Sequence, residues 1–312
     1  MKGPFFDLQV NGAYGVDLFH ADSTGLDALC LKLGRAGLSA FLPTLITAPE
    51  ADFEAALGRL GPWILSRTKK AQGARPHGLH LEGPFLNPEA AGVHPAMEMR
   101  RASVEILERW WKLSGGTIRL MTVAPEIHSE VELKALTSWA RKRQVRLSVG
   151  HSQATFEQAK KAFDLGFTGV THAWNAGAFH HREPGVMGAA IGRKDVFIMV
   201  IVDGVHVHPA TIEWMMRAHP RDRMIFVSDC APSAGMKDGQ ESAFGPIRVR
   251  QVNSEARVVQ PNGQAGAIGG SGLLLPKSVQ EFKRASAYAR SLPTAQWRAC
   301  SLGNAAKWLR RP

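Results

Sequence analysis

Cysteine is scarce in this chain. Three occur in 312 residues, Cys30, Cys230 and Cys300, far apart and without zinc-ribbon spacing. That leaves no sequence-evident disulfide framework and fits a reducing cytoplasm. No run of 18 apolar residues occurs, so no transmembrane helix is expected. The first residues, MKGPFFDLQVNG, enter structure at once and lack the apolar stretch of a signal peptide. Internal repeats, low-complexity linkers and nucleic-acid-binding motifs are missing too. Together these absences predict a cytoplasmic globular protein that binds neither membrane nor nucleic acid.

What is present is ordinary for a globular enzyme: 45% apolar and 21% charged residues. The net charge is +11. Its basic runs, RTKK (67–70) and RKRQVR (141–146), fall where helices should end before a following strand. The helix dipole favours cations there. The competing reading is a surface for nucleic acid or another acidic partner. Attraction for an anionic substrate is compatible with either.

Length alone allows one large or two smaller domains. The pattern along the chain is more specific. Short apolar, β-prone runs occur at 5–10, 40–45, 77–82, 118–123, 145–150, 169–174, 197–203 and 223–229. Most are separated by stretches of helical periodicity such as SEVELKALTSWARKRQ; the connection between the sixth and seventh is less regular. Eight strand–helix repeats, with strands too apolar for a one-sided sheet, predict a (β/α)8 TIM barrel. A doubly wound open sheet is the alternative. After the eighth run, FGPIRVRQVNSEARVVQPNGQAGAIGG alternates like a β-hairpin with PNG turn chemistry. Two helices are expected after it, at 274–290 and 294–309.

Unusual polar residues sit at the strand ends. Gln9 and Asn11 close the first run, Glu82 the third and Asp229 the eighth; His151, His172 and His206 follow or end the fifth, sixth and seventh. Singly, a strand-end histidine is more often a hydrogen-bonded structural residue, and a strand-end aspartate a turn former or cap. Cys230 reads as a small core residue rather than a nucleophile. In a barrel, however, all these ends converge on the face that carries the active site. One carboxylate and two imidazoles make a zinc site with a position left for water, and a further carboxylate can act as base.

The segments HLEGPFLNPEAAGVH, MTVAPE, GHSQAT, THAWNA, REPG, DGVHV and VSDCAPSAG resemble, in order, the motif series of the N-acetylglucosamine-6-phosphate deacetylase family of the amidohydrolase superfamily. The resemblance runs from DLQVNG to SLGNAAKWL, nearly the whole chain. It implies that Glu82, His151 and His172 bind one divalent metal, Zn2+ first, with Fe2+, Co2+ or Mn2+ as alternatives. It further implies Asp229 as general base and acid, and His94 as the group that polarises the acetyl carbonyl. Asn175, Ala176, Arg182 and His206 resemble the sugar-phosphate site. Val93, Asp203, Gly204, Val205, Ile268, Gly269 and Gly270 occupy other substrate-contacting positions. The expected products are acetate and glucosamine 6-phosphate, and the expected assembly is a homodimer whose neighbouring subunit contributes to the phosphate site.

Two departures from the family stand out. Many amidohydrolases carry His-x-His at the end of the first strand and bind a second metal; Gln9-x-Asn11 stands there instead, and neutral amides are poorer zinc ligands. Those amides are expected to meet substrate or hold a water. The family also has a small β-sandwich domain, and residues 1–312 are expected to form the barrel alone, without most of it. Two other readings stay open: an amidohydrolase acting on another acylated amino sugar or a non-phosphorylated amide, and a non-catalytic descendant that binds sugar phosphates or a protein.

Overall fold

The computed structural model describes residues 4–67, 72–177 and 179–310; residues 68–70 of the first basic run lie outside them. Eight strands follow in order: β1 (Phe5–Val10), β2 (Leu38–Ile46), β3 (Leu79–Glu82), β4 (Ile118–Val123), β5 (Arg146–Val149), β6 (Gly169–Val170), β7 (Phe197–Ile201) and β8 (Met224–Val227). Each pairs in parallel with the next. The connecting helices are α1 (Ser23–Arg35), α2 (Glu50–Arg67), α3 (Val104–Leu113), α4 (Glu130–Arg143), α5 (Phe156–Leu165), α6 (Gly185–Ala190) and α7 (Pro209–Ala218). This is the expected (β/α)8 barrel, nearly closed. At the seam, the Asp7 carboxylate accepts from Ser228 N (3.1 Å) and Ser228 Oγ, and Asn11 N donates to Cys230 O at 3.0 Å.

Local sequence explains the helices. Ser129 and Glu132 form a capping box on α4, and Leu133, Leu136 and Ala140 bury one face at helical spacing. The second basic run supplies the last turn, Arg141, Lys142 and Arg143, before Gln144 closes it in the left-handed region. Among the described residues, the irregular connection between the sixth and seventh strands contains one helix, the short α6.

The lumen is layered. Phe6, Leu8, Leu42, Leu120, Met199, Ile201, Ile225 and Val227 pack together near the strand starts, against Trp308 and Leu309 of the C-terminal helix. Further along the strands, buried His80 donates from Nδ1 to Leu8 O (3.1 Å) and meets Thr122 Oγ1 through Nε2 (2.8 Å). Thr122, Thr171 and Ser148 continue that chain of contacts. Burial pushes His80 down to about 4, so its ring is neutral.

After β8 the structure departs from the expected hairpin. Four antiparallel strands, β9 (Glu241–Phe244), β10 (Ile247–Val252), β11 (Glu255–Val259) and β12 (Ala265–Ser271), pair in order. The stretch expected to form a hairpin spans β10, β11 and β12, with PNG in the turn between the last two; β9 and the four-strand count were not legible in it. The expected 274–290 helix is also divided. The stretch α8 (Leu275–Ala285) stops at Ser286, whose Oγ accepts from Ala289 N (2.8 Å) and caps a second helix, Ala287–Ser291. The 294–309 helix is interrupted by a π-type turn at Ala299–Gly303.

Candidate active site and metal centre

Three of the polar strand-end residues sit where the backbone turns sharply. His151 (φ 48°), His172 (φ 29°) and Asp229 (φ 53°) occupy the left-handed region that side chains other than glycine's seldom adopt. Such strain persists only where surrounding contacts over-determine it, and it concentrates at functional sites. At Glu82 the turn falls on the next residue instead. Gly83 has φ 122°, and a Cβ there would lie 2.2 Å from Thr47 Oγ1. The glycine after the glutamate therefore lets Thr47 come close.

Glu82, His151 and His172 converge. One ligand-type atom from each lies within 4.8 Å of the others, and all three are buried. His172 Nε2 is 2.8 Å and His151 Nε2 3.5 Å from Glu82 Oε1, and the two ring nitrogens are 3.0 Å apart. His151 Nδ1 donates to Ala90 O at 2.8 Å, which leaves its Nε2 lone pair facing the carboxylate. Burial alone would raise the Glu82 carboxyl, but the neighbouring His151 and His172 imidazoles outweigh it and hold it well below its ordinary range. An ionised carboxylate with two imidazole nitrogens aimed at one point fits a divalent cation such as zinc, with coordination positions to spare. The donor set can therefore hold a metal.

Around that point stand two further groups. His94 is buried, its ring centroid 4.4 Å from that of His151. Its Nδ1 accepts from Thr47 N (3.2 Å) and lies 3.0 Å from Thr47 Oγ1. Burial, chiefly, keeps His94 well below its ordinary pKa. The ring is neutral and its proton sits on Nε2. Asp229 is pushed up to about 7 by burial and by the negative charge of Glu82; a cation beside Glu82 would draw it down again.

The amides of the first strand each hold a carboxylate through their NH2 group. Gln9 Nε2 donates to Glu82 Oε1 (2.7 Å) and Asn11 Nδ2 to Asp229 Oδ1 (2.9 Å). An NH2 beside an ionised oxygen makes a charge-assisted bond, while Gln9 Oε1 and Asn11 Oδ1 stay buried without a protein partner among the described residues and Asn11 lines the cavity over these groups.

A cavity of about 270 Å3 opens over these groups. Of the sequence-derived substrate residues, Val93, Asn175, Ala176, Val205, His206, Ile268, Gly269 and Gly270 line it. Ile46, Gly92 and Phe244 also line it and carried no sequence signal. Asp203 and Gly204 do not. The Asp203 carboxylate is occupied by the protein: Oδ1 accepts from Val205 N (2.9 Å) and His206 N (3.0 Å), Oδ2 from Ser271 Oγ (2.8 Å) and pairs with His206 Nδ1 (2.7 Å). Burial would lower His206, but Asp203 raises it above its ordinary value. Arg182 lies outside the cavity, exposed in the loop after β6, and its side chain makes no ion pair among the described residues. Its neighbour Glu183 accepts from Phe156 N (2.6 Å) and Gly185 N (3.3 Å).

No family model matches the chain. It is 34% identical to the N-acetylgalactosamine-6-phosphate deacetylase of Escherichia coli O157:H7, over 89% of this chain and 71% of that protein. It is 33% identical to the N-acetylglucosamine-6-phosphate deacetylase of Bacillus subtilis (strain 168), over 75% of this chain and 58% of that one. The match thus spans about three-fifths to seven-tenths of these relatives' lengths. Among solved structures, a mutant N-acetyl-D-glucosamine-6-phosphate deacetylase of Mycobacterium smegmatis in complex with N-acetyl-D-glucosamine-6-phosphate superimposes with a TM-score of 0.85 at 27% identity, covering 98% of this chain and 76% of that one. The N-acetylglucosamine-6-phosphate deacetylase of Thermotoga maritima gives 0.84 at 26% identity, covering 99% and 78%.

Proposed function

The chain belongs to the N-acetylglucosamine-6-phosphate deacetylase family of amidohydrolases, and we propose that it hydrolyses N-acetylglucosamine 6-phosphate to acetate and glucosamine 6-phosphate. The observation that carries this reading is the convergence of Glu82, His151 and His172 with Asp229 and His94 on one cavity, in the fold of relatives so named. Glu82, His151 and His172 would hold the metal, with zinc the best match to two imidazoles and a carboxylate. Bound there, a divalent metal supplies an acidified water and a polarised acetyl carbonyl.

The chain's own groups do the rest. Asp229 takes the proton of the attacking water at a carboxylate oxygen and returns it to the departing amine nitrogen, which leaves poorly unprotonated. Asn11 fixes the other geometry of that carboxylate by holding Oδ1. His94, its Nδ1 occupied by Thr47, offers Nε2–H to the acetyl oxygen as negative charge develops. Asn175, Ala176 and His206 are assigned to the sugar phosphate, and Val93, Ile268 and Gly269 to the walls around it. Arg182 is assigned to the phosphate of a second copy in a cytoplasmic homodimer. Its exposure in the loop that also carries Phe179, which packs against Trp214 with both residues about half exposed (49% and 46%), supports that assignment.

A galactosamine epimer is the second reading, favoured by the E. coli relative. The test is acetate release from the 6-phosphates of both N-acetylhexosamines and from the unphosphorylated sugars. Turnover of the gluco 6-phosphate above the other three is expected. Preference for the galacto 6-phosphate would select the epimer, and absence of acetate from all four would end the hydrolase reading.

A further inference from the structure

The MTVAPE motif contributes nothing to the chemistry assigned above, yet its last residue bonds to the two residues that follow His151 and to the loop that accepts the His151 Nδ1 proton. We propose that Glu126 is a positioning residue for the metal ligand His151, an inference that rests on the metal-dependent reading of the site. Glu126 is half-buried in the short turn Pro125–Ile127 just after β4 and gathers donors from two loops. Its Oε1 accepts from Asn87 Nδ2 (2.9 Å) and from Gln153 N (2.6 Å); its Oε2 accepts from Ser152 Oγ (2.7 Å).

Both loops bear on His151. On one side, Ser152 and Gln153 follow it directly, where the chain leaves the left-handed turn at φ 48°. A non-glycine residue in that region is strained, so the segment after it needs external partners. On the other side, Asn87 N donates to His151 O (3.1 Å), and Asn87 Oδ1 caps the short turn Pro88–Ala90 by accepting from Glu89 N (2.9 Å). The last residue of that turn, Ala90, supplies the carbonyl that receives His151 Nδ1–H. Glu126 thus fixes both the backbone of His151 and the acceptor that selects its tautomer. Loss of an outer partner of this kind typically weakens metal binding about 10–100-fold.

The experiment is zinc affinity of the full chain, measured by chelator competition, with thermal melting in parallel. Glu126→Ala is expected to weaken zinc about 10–100-fold. Glu126→Gln, which keeps an acceptor oxygen, should recover part of that loss. Asn87→Asp, which keeps the cap but replaces the donor to Glu126, should weaken zinc as well and decides the matter should Glu126→Ala not fold. Ser129→Ala, which removes the α4 cap away from the site, should lower the melting temperature and leave zinc affinity unchanged. Wild-type affinity in all the Glu126 and Asn87 variants overturns the inference alone. An equal loss in Ser129→Ala overturns it too, by showing that general destabilisation suffices. Failure of the wild-type chain to bind zinc overturns both the inference and the reading beneath it.

Discussion

The loops after β5 and β6 leave the barrel side by side and end in opposite conditions. The first carries His151, buried, with its backbone, its Nδ1 and the two residues after it all hydrogen-bonded. The second carries Phe179 and Arg182, exposed, the guanidinium with no ion pair among the described residues. Groups that would break the amide bond are thus prearranged within one chain. The group assigned to the distal phosphate is not, and its grip must come from closure onto substrate or from a second copy. Preorganisation matters most where charge develops during reaction; a phosphate far from the bond can be held by a mobile arginine and still contribute binding.

That contrast can be broken first at its buried side. Asp229→Asn keeps the shape and the metal ligands but cannot accept a proton. Turnover should fall by at least about 10²-fold, with bound metal unchanged. Near-normal turnover in metal-loaded variant protein would take Asp229 out of the chemistry.

The exposed side predicts a selective loss. Arg182→Ala should lower kcat/KM on the 6-phosphate by roughly 10–100-fold, the scale of a hydrogen bond to a charged group. The unphosphorylated sugar should be little affected. Equal losses on both would show that the loop shapes the mouth rather than holding phosphate.

The seam between β1 and β8 gives the smallest effect on activity and a distinct pH signature. Burial, against hydrogen bonds from Ser228 and Gln9, pushes the Asp7 carboxyl from its ordinary 3.8 up to about 7. The folded protein then keeps a proton that the unfolded chain releases, so between about pH 4 and 7 stability falls as pH rises. This is the reverse of a salt-bridged carboxylate. Asp7→Asn keeps acceptors for the two backbone N–H groups and removes the titration. Relative to wild type it should gain stability across that window, by up to a few kcal/mol at pH 8. Denaturant melts that show the same difference at pH 5 and pH 8 would contradict the assignment.

Much of the barrel was legible because its strands are buried on both faces and so read as unbroken apolar runs. The site was legible because barrel topology brings strand ends together whatever their separation. The limits were local. The sixth strand, expected over 169–174, pairs only at Gly169–Val170, because the chain turns at His172 (φ 29°) and again at Trp174 (φ 74°). The partners of Gln9 and Asn11 lie 73 and 218 residues away, and nothing in either neighbourhood says which carboxylate each will face. Thr47, which sets the His94 tautomer, and Glu126 looked like ordinary strand-end residues for the same reason. Asp203 sits in the DGVHV motif with His206, and no local signal shows that its oxygens are filled by protein donors from as far as Ser271.

The central claim is that one metal, held by Glu82, His151 and His172, makes this cavity a deacetylase. It is tested most directly by stripping the protein with a chelator and adding zinc back while acetate release from N-acetylglucosamine 6-phosphate is followed. The account predicts no release from stripped protein and full recovery at one equivalent of zinc per chain. Undiminished release after stripping, or recovery only at two equivalents, would contradict it.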